Sequence, residues 1–370
     1  MKSSVRRPHR AAGLAGALAL AVTLSACGSG AASDDGTTTV RLGAQPFQDR
    51  VLYYIAQEKG WYADEGIDLQ LSMFPFDADT QLALAGDAVD IGVTCDIPAL
   101  LQAAQSPNTV YSAMTFSFEG YSISSHEGKF TPYDQFISQG LAPADALKTT
   151  AEQLRGKTVV AAAGTNQEAA ARALTSAAGM NYDAELNQVD LDPHDGAAYF
   201  ASGKGDFFAG GVPETKAAIS NGGQILITSA QIGAGAVANC GEMTTREYYE
   251  QNPEIFEKLQ AIYYRTVQYL RDNPDEGYGR VAQLVSENTG AEMSPEAAQE
   301  ALTELERLPA SAAEANELFY SPDSSRYWRD RFEFSQDFLI TTGQLQQPVD
   351  LDQLVVSQQI NDRLLAASPE

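Results

Sequence analysis

Basic residues are scarce in this sequence of 370 residues. Lys and Arg together number 24 against 49 Asp and Glu, which gives a formal net charge of -25 at pH 7. The phosphates of nucleic acid repel such a chain, so the composition argues against a nucleic-acid partner. The same charge suits a protein that stays soluble beside an anionic membrane surface.

Histidine is nearly absent, and so are the common catalytic motifs. Beyond the N-terminal segment only His126 and His194 occur, and neither has a carboxylate or cysteine at the spacing of a zinc site. No phosphate-binding loop or GxSxG motif is present, and the GAGA run at 233–236 is too short and misplaced for a dinucleotide site. We therefore expect no metal, no cofactor and no enzymatic activity. The alternative is a hydrolase whose site assembles only in space.

Long apolar runs are missing except near the N-terminus. There, four cations between Lys2 and Arg10 precede a small-residue apolar run at 11–24, which is typical of a secretory signal peptide and too short for a membrane span. The run ends in Leu-Ser-Ala followed by Cys27, the pattern of a lipobox. We predict a signal peptide at 1–26 and lipidation of Cys27; the alternative is an ordinary cleaved signal with an unmodified cysteine.

A polar stretch follows the signal and contains almost nothing to bury. We interpret residues 27–39 as a flexible tether. The protein is accordingly expected to be exported and lipid-anchored at the outer face of the cell membrane. Beyond Cys27 only Cys95 and Cys240 remain. An exported location permits a disulfide between them, although two separately buried thiols are the preferred interpretation.

The rest of the chain alternates strand-like and helix-like segments, which predicts an α/β fold with mostly parallel sheets. About 330 residues exceed one ordinary core, so we expect two lobes with a cleft between them. The predicted bounds are 40–122 with 238–345 for lobe 1, 123–237 for lobe 2, and 346–370 for a C-terminal helical tail. The section from His126 to Leu147 looks less regular, like an insertion.

Three segments carry a family resemblance: YIAQEKGWYADEGIDLQL at 54–71, LALAGDAVDIGVTCDIPALL at 82–101 and GKTVVAAAGTNQEAAARALTSAAGM at 156–180. In order and pattern they resemble the solute-binding proteins of nitrate, sulfonate, taurine and hydroxymethylpyrimidine (thiamine-precursor) importers. The resemblance implies a type II periplasmic-binding-protein fold that closes about a hinge. It also implies a monomer that takes a small solute to an ABC permease with separate ATPase subunits.

Several candidate ligand residues follow strand ends, where open α/β sheets bind ligands. After the first strand, Gln45 can hydrogen-bond a ligand and Phe47 can cover its face; the alternative for Phe47 is a core position. Thr94 and Asp96 stand between a strand and a helix, where Asp96 is expected to be the N-cap. Tyr121 is an aromatic candidate for stacking.

Further candidates belong to the second lobe. Thr165 and Asn166 open a helix whose free N–H groups would suit an oxyanion. The spacing of Thr165 and Glu168 is that of a capping box, however, which would satisfy those groups internally. Glu214 follows another predicted strand.

The carboxylates and aromatic rings together favour a nitrogen-containing organic solute, such as an amine or a pyrimidine. A sulfonate, nitrate or similar small anion is the alternative.

Overall fold

The computed structural model describes residues 36–212, 214–290 and 292–367. The predicted signal peptide, Cys27 and the tether up to residue 35 lie outside the described residues. Within the described ranges, no helix has both the length and the apolar character needed to cross a bilayer.

The strands form two sheets. The first sheet has the order β11-β4-β10-β3-β1-β2 and contains β1 (Thr38–Ala44), β2 (Ile67–Met73), β3 (Ile91–Cys95), β4 (Thr109–Phe118), β10 (Ala238–Thr245) and β11 (Glu306–Arg307). The second has the order β7-β6-β8-β5-β9 and contains β5 (Ser122–His126), β6 (Thr158–Val160), β7 (Asn187–Val189), β8 (Phe207–Gly210) and β9 (Gly223–Thr228). Each sheet is the centre of one lobe.

Helices surround both sheets. Those before residue 118 are α1 (Leu52–Glu58), α2 (Trp61–Asp64), α3 (Asp77–Ala85) and α4 (Asp96–Gln105). Those between residues 122 and 233 are α5 (Tyr133–Ser138), α6 (Pro143–Glu152), α7 (Asn166–Ser176), α8 (Tyr182–Glu185), α9 (Pro193–Ala201), α10 (Glu214–Ile219) and α11 (Ser229–Ile232). After residue 245 come α12 (Arg246–Gln251), α13 (Pro253–Asp272), α14 (Pro274–Thr289), α15 (Pro295–Glu300), α16 (Ala312–Ala315), α17 (Trp328–Thr341), α18 (Leu351–Leu354) and α19 (Ser357–Ala367). Proline opens five of these helices, where its missing N–H costs nothing.

The core follows the pleat of the sheets. In the second sheet Val159 and Phe207 bury one face while Val160 and Phe208 bury the other, because successive strand residues point to opposite faces. Helices on both sides therefore cover apolar residues on both faces of the sheet. The first lobe has one larger core that extends to Ile360 of α19.

The chain crosses between the lobes twice. The first crossing is the short segment from Phe118 to Ser122, and the second runs from Thr228 to Ala238. Both pass close together, because the Ser229 backbone N–H donates to the carbonyl of Tyr121 over 2.8 Å and its hydroxyl donates to the carbonyl of Glu119. These adjacent segments form the hinge of a two-lobe structure.

The two-lobe α/β architecture is confirmed, but the sheets are mixed rather than mostly parallel. Strand β10 runs antiparallel to both β3 and β4, and β5 runs antiparallel to β8 and β9. The section from His126 to Leu147 is also more regular than expected, since it contains α5 and the start of α6. Strand β1 begins at Thr38, within the segment interpreted as tether, because its backbone pairs with β2.

Cys95 and Cys240 form a disulfide, so the preferred interpretation of two separate thiols was wrong. The sequence could not show the reason, which is that β10 returns from the second lobe and pairs with β3 in a register that sets the two cysteines opposite each other. The closed loop spans 145 residues and contains the whole second lobe.

We expect reduction of this disulfide to lower the free energy of unfolding by about 2 to 5 kcal/mol, because it releases the entropy of a long loop in the unfolded chain. The measurement is chemical denaturation with and without a thiol reductant. The double variant Cys95→Ser, Cys240→Ser is the control and should not respond to reductant. Equal stability of the oxidised and reduced protein would contradict the expectation.

Candidate functional site

The cleft between the lobes contains two adjoining cavities. The outer cavity has a volume of about 580 Å³ and the inner one about 110 Å³. They share seven lining residues: Phe47, Arg50, Phe76, Cys95, Tyr121, Gln167 and Pro193. Because these residues come from both lobes, movement at the hinge changes the shape of the site.

Five helices begin at this cleft, namely α3, α4, α7, α9 and α10. A helix N-terminus carries partial positive charge and unpaired N–H groups, which usually favour an anion. The chain's own carboxylates occupy two N–H groups in the loop that precedes α7. Asp190 accepts a hydrogen bond from the Ala163 N–H over 2.8 Å, and Glu168 accepts one from the Gly164 N–H over 2.7 Å.

The charged groups in the lining are mostly acidic. Among the described lining residues, Arg50 is the cation, and the carboxylates are Asp49, Asp77, Asp79, Asp190, Asp192 and Glu214. Burial raises the pKa of Glu214 and of Asp77 above their usual values. The field in the cleft therefore favours a positive charge or hydrogen-bond donors in the solute.

Arg50 is held on several sides at the floor of the cleft. Its Nη1 lies 2.6 Å from Asp77 Oδ1, and its Nε lies 3.2 Å from Asp49 Oδ2. It also donates to the amide oxygen of Gln45 and lies over the rings of Phe47 and Phe116. The guanidinium is therefore neutralised and fixed by the protein itself.

Aromatic rings form the apolar part of the lining. They are Phe47, Phe76, Phe116, Phe118 and Tyr121. Phe76 is 42% exposed at the rim, and Phe118 and Tyr121 contact edge to face with ring centroids 4.6 Å apart. Such rings can cover a flat heterocycle or face a cation.

The structure brings together five of the eight predicted ligand residues. Phe47, Tyr121, Thr165, Asn166 and Glu214 all line the cavities. The ligand role of Phe47 had a core position as its alternative, and the ring is in fact only partly buried at the cleft.

The other three lie one layer behind the surface, where protein groups hold their side chains. Gln45 donates to Thr80 Oγ1 over 2.6 Å, and the Thr94 hydroxyl accepts from Gln81 over 3.0 Å. Asp96 is fully buried. In this conformation they support lining residues and do not form the lining themselves.

Two local expectations need correction. Asp96 is the first residue of α4, with Cys95 at the N-cap, and its carboxylate accepts from the neighbouring Ile97 N–H over 3.0 Å. Thr165 is the N-cap of α7 but does not complete a capping box. Its hydroxyl donates to the Ala162 carbonyl over 2.7 Å, while Glu168 reaches the Gly164 N–H.

Asp96 instead joins the two lobes. Its Oδ1 accepts from Asn166 Nδ2 of the second lobe over 2.8 Å, and its Oδ2 accepts from Ser335 of α17 over 2.8 Å. Arg331 Nη2 lies 3.4 Å from Oδ2 and also donates to the carbonyl of Val237 in the second crossing. One buried carboxylate thus connects α4, α7, α17 and the hinge.

Sequence reasoning missed Arg50, Asp77 and Asp192, which all line the cleft. Asp77 and Asp192 carried a usable signal, because each follows a strand and precedes a helix. Arg50 had no such signal in the sequence, since its position in a loop does not indicate which residues it contacts.

Within the described ranges, no group of His, Cys, Asp and Glu is arranged to hold a metal ion.

Comparison with known proteins defines the family. The family model described as NMT1-like matches residues 33–286. The chain belongs to the NMT1-like family. The resemblance to importer solute-binding proteins predicted from the sequence is thereby confirmed. A sequence search of curated proteins found no match to the NMT1-like chain.

Solved structures share the fold. The periplasmic aliphatic sulphonate binding protein SsuA from Escherichia coli is 17% identical, with a TM-score of 0.64 over 85% of this NMT1-like chain and 91% of that chain. The alkanesulfonate-binding protein SsuA from Xanthomonas axonopodis pv. citri, bound to MOPS, is 15% identical, with a TM-score of 0.61 over 86% and 97%. These likenesses confirm the type II periplasmic-binding-protein fold.

An enzyme has the same fold. The desulfurization enzyme DSZB is 17% identical, with a TM-score of 0.56 over 89% of this chain and 99% of that chain. The fold of the NMT1-like chain therefore does not by itself distinguish binding from catalysis. That distinction has to come from the residues of the site.

We expect Asp96→Ala to destabilise the protein by about 3 to 5 kcal/mol, because it leaves Arg331 buried without its carboxylate partner. The matched control is Asp352→Ala, which removes the partner of Arg329 on the same helix from an exposed pair and should cost less than about 1 kcal/mol. Urea denaturation measures both. Equal losses of unfolding free energy in the two variants would show that the buried cluster around Asp96 stabilises the protein no more than an exposed ion pair does.

Proposed function

We propose that the protein is the extracytoplasmic solute-binding component of an ABC importer. The observation that carries this proposal is a two-part cavity lined from both lobes beside two adjacent hinge segments. Such a site closes when a solute contacts both lobes, and the closed form is then recognised by a permease. Family membership supports the same role.

We further propose that the protein acts as an exported monomer anchored through a lipid on Cys27, with ATPase subunits on separate chains.

The proposed role involves no chemical step on the solute. Cys95 and Cys240 both line the inner cavity, but their sulfurs are joined to each other, so neither can serve as a thiolate nucleophile. Arg50 is occupied by carboxylates and an amide oxygen, which suits a structural part of a binding surface.

For the solute we propose a nitrogen-containing organic compound that is cationic or rich in hydrogen-bond donors. Six carboxylates and five aromatic rings in the lining support this class. Burial of Glu214 adds to the argument, because a carboxyl held in a poorly solvated wall gains most from a cationic partner.

A sulfonate or another small anion is the second candidate. The five helix N-termini favour it, and the structurally similar SsuA proteins are described as sulfonate binders. Against it, Asp190 and Glu168 occupy two of the loop N–H groups, and Asp49 and Asp77 neutralise Arg50. We therefore rank the anion second.

A thermal-unfolding panel tests the two classes. It contains primary amines, quaternary ammonium compounds, pyrimidines, amino acids, sulfonates and nitrate. A solute at about 100 times its dissociation constant adds about 2.7 kcal/mol of stability, which gives a measurable rise in Tm. We expect stabilisation by a nitrogenous compound and none by sulfonate or nitrate. Stabilisation by a sulfonate alone would reverse the ranking, and no response at all would count against solute binding.

Substitution of Glu214 at the inner cavity tests whether the cavity favours a positively or a negatively charged solute. Glu214→Gln keeps the size of the side chain but removes its charge, so we expect about tenfold weaker binding of a cationic solute, equivalent to about 1.4 kcal/mol. Isothermal titration calorimetry measures the dissociation constant. The control is Glu250→Gln on the exposed surface of α12, which should bind as the unmodified protein does. Tighter binding by Glu214→Gln would indicate an anionic solute.

A further inference from the structure

Helix α7 of the second lobe touches the first lobe at the wall of the cleft. Its first residue, Asn166, lines the outer cavity and donates through Nδ2 to Oδ1 of Asp96 over 2.8 Å. Asp96 is the first residue of α4 in the first lobe, and both residues are buried. Because α4 and α7 begin on opposite sides of the cleft, this hydrogen bond has to break when the lobes move apart.

The first lobe by itself holds the Asp96 carboxylate in place for this contact. Oδ1 also accepts from the Ile97 N–H over 3.0 Å, and Oδ2 accepts from Ser335 over 2.8 Å with Arg331 Nη2 at 3.4 Å. All these partners are donors, so Asn166 can join them only through its amide N–H. A hydrogen bond to a carboxylate is stronger than one between neutral groups. The acceptor is therefore ready before α7 arrives.

Other contacts of α7 with the first lobe accompany this hydrogen bond. Ala169 is 3% exposed and belongs to the apolar core of the first lobe. The guanidinium of Arg172 lies 5.8 Å from the centroid of the Phe338 ring in α17. Asn166, Ala169 and Arg172 are spaced three residues apart, so they share one face of the helix.

The loop before α7 approaches the first lobe as closely. The side chain of Gln344, which follows α17, occupies the space where a Cβ on Gly164 would lie. Like the contacts of the α7 face, this one joins two protein groups. None of these contacts requires a solute between the lobes.

A further contact between the lobes is much weaker. Lys216 of α10 lies 3.5 Å from Glu300 of α15, and the two side chains are 54% and 57% exposed. An ion pair in water at this exposure contributes little to stability. The buried face of α7 is therefore the stronger of the two connections.

We propose that the α7 face formed by Asn166, Ala169 and Arg172 is a latch that holds the lobes together without a solute. The hydrogen bond from Asn166 to Asp96 is its polar part, and its loss should lower the ratio of closed to open molecules about tenfold. That ratio is equivalent to about 1.4 kcal/mol, in the range of one hydrogen bond to a charged group. One consequence rests on the proposed function: a solute enters only while the latch is released.

The distance between the lobes tests the latch directly. Ala85 of α3 and Ala198 of α9 are exposed helix residues in opposite lobes and can be replaced by spin-labelled cysteines. The exported chain carries Cys27→Ser, and Cys95 and Cys240 are bonded to each other, so the labels attach only where intended. Double electron–electron resonance without a solute then gives the distribution of distances. We expect one main, short distance in the otherwise unmodified chain.

Two substitutions at Asn166 separate the hydrogen bond from the shape of the side chain. Asn166→Ala removes the donor, so a longer distance should appear and the ratio of closed to open molecules should fall about tenfold. Asn166→Asp keeps the size but places a second carboxylate against Asp96, so the longer distance should predominate. If shape alone held α7, Asn166→Asp would keep the short distance.

Two controls leave the latch intact. Asn181→Ala is the matched substitution, because Asn181 accepts from the Ala184 N–H over 3.1 Å at the start of α8, inside the second lobe. Lys216→Ala removes the exposed ion pair between the lobes. Both should show the same short distance as the unmodified chain, with a change in the closed-to-open ratio below about twofold.

Three results would overturn the latch. They are a mainly long distance in the unmodified chain, a short distance retained in both Asn166 variants, and equal opening in Asn181→Ala and Asn166→Ala. Because no solute is present in this measurement, such a result would leave the proposed solute binding standing. Conversely, failure of the whole solute panel to bind would remove the proposed function but not the latch.

Discussion

The position of β10 at the centre of the first sheet is the constraint on which the molecule depends. This strand returns from the second lobe and lies antiparallel between β3 and β4, so the second lobe is an insertion into a sheet that closes behind it. The backbone ladder and the disulfide at Cys240 hold the return in register. The two crossings then have to lie side by side, and rotation of one lobe against the other is concentrated in a few residues.

The cleft shows which groups the carboxylates of this strongly acidic chain pair with. Carboxylates occupy two backbone N–H groups in the loop before α7, and Asp49 and Asp77 neutralise Arg50. At Asp96 the acid is fully compensated and serves as a joint between lobes.

Much of the fold could be predicted because its strands are short apolar runs between helices. The strand-end rule directed attention to Phe47, which lines the cleft. Strand β4 was not predicted, although it is almost wholly buried. Its polar residues interrupt the apolar pattern, yet Ser112 and Thr115 donate to carbonyls of β10, a strand more than a hundred residues away. The site was harder for the same reason: Asp96 and Arg331 are 235 positions apart, and no local pattern predicts their contact.

Strand β1 and the last helix, α19, both belong to the core of the first lobe, where Asn361 accepts from the Tyr264 hydroxyl over 3.0 Å. Covalently, two crossings connect the second lobe to the first within the described residues, and the hydrogen bond from Asn166 to Asp96 adds a contact between the lobes. Mechanically, a force applied through either end of the described chain is borne by the first lobe alone. The second lobe lies outside that path, so its rotation at the crossings does not depend on how the two ends of the described chain are held.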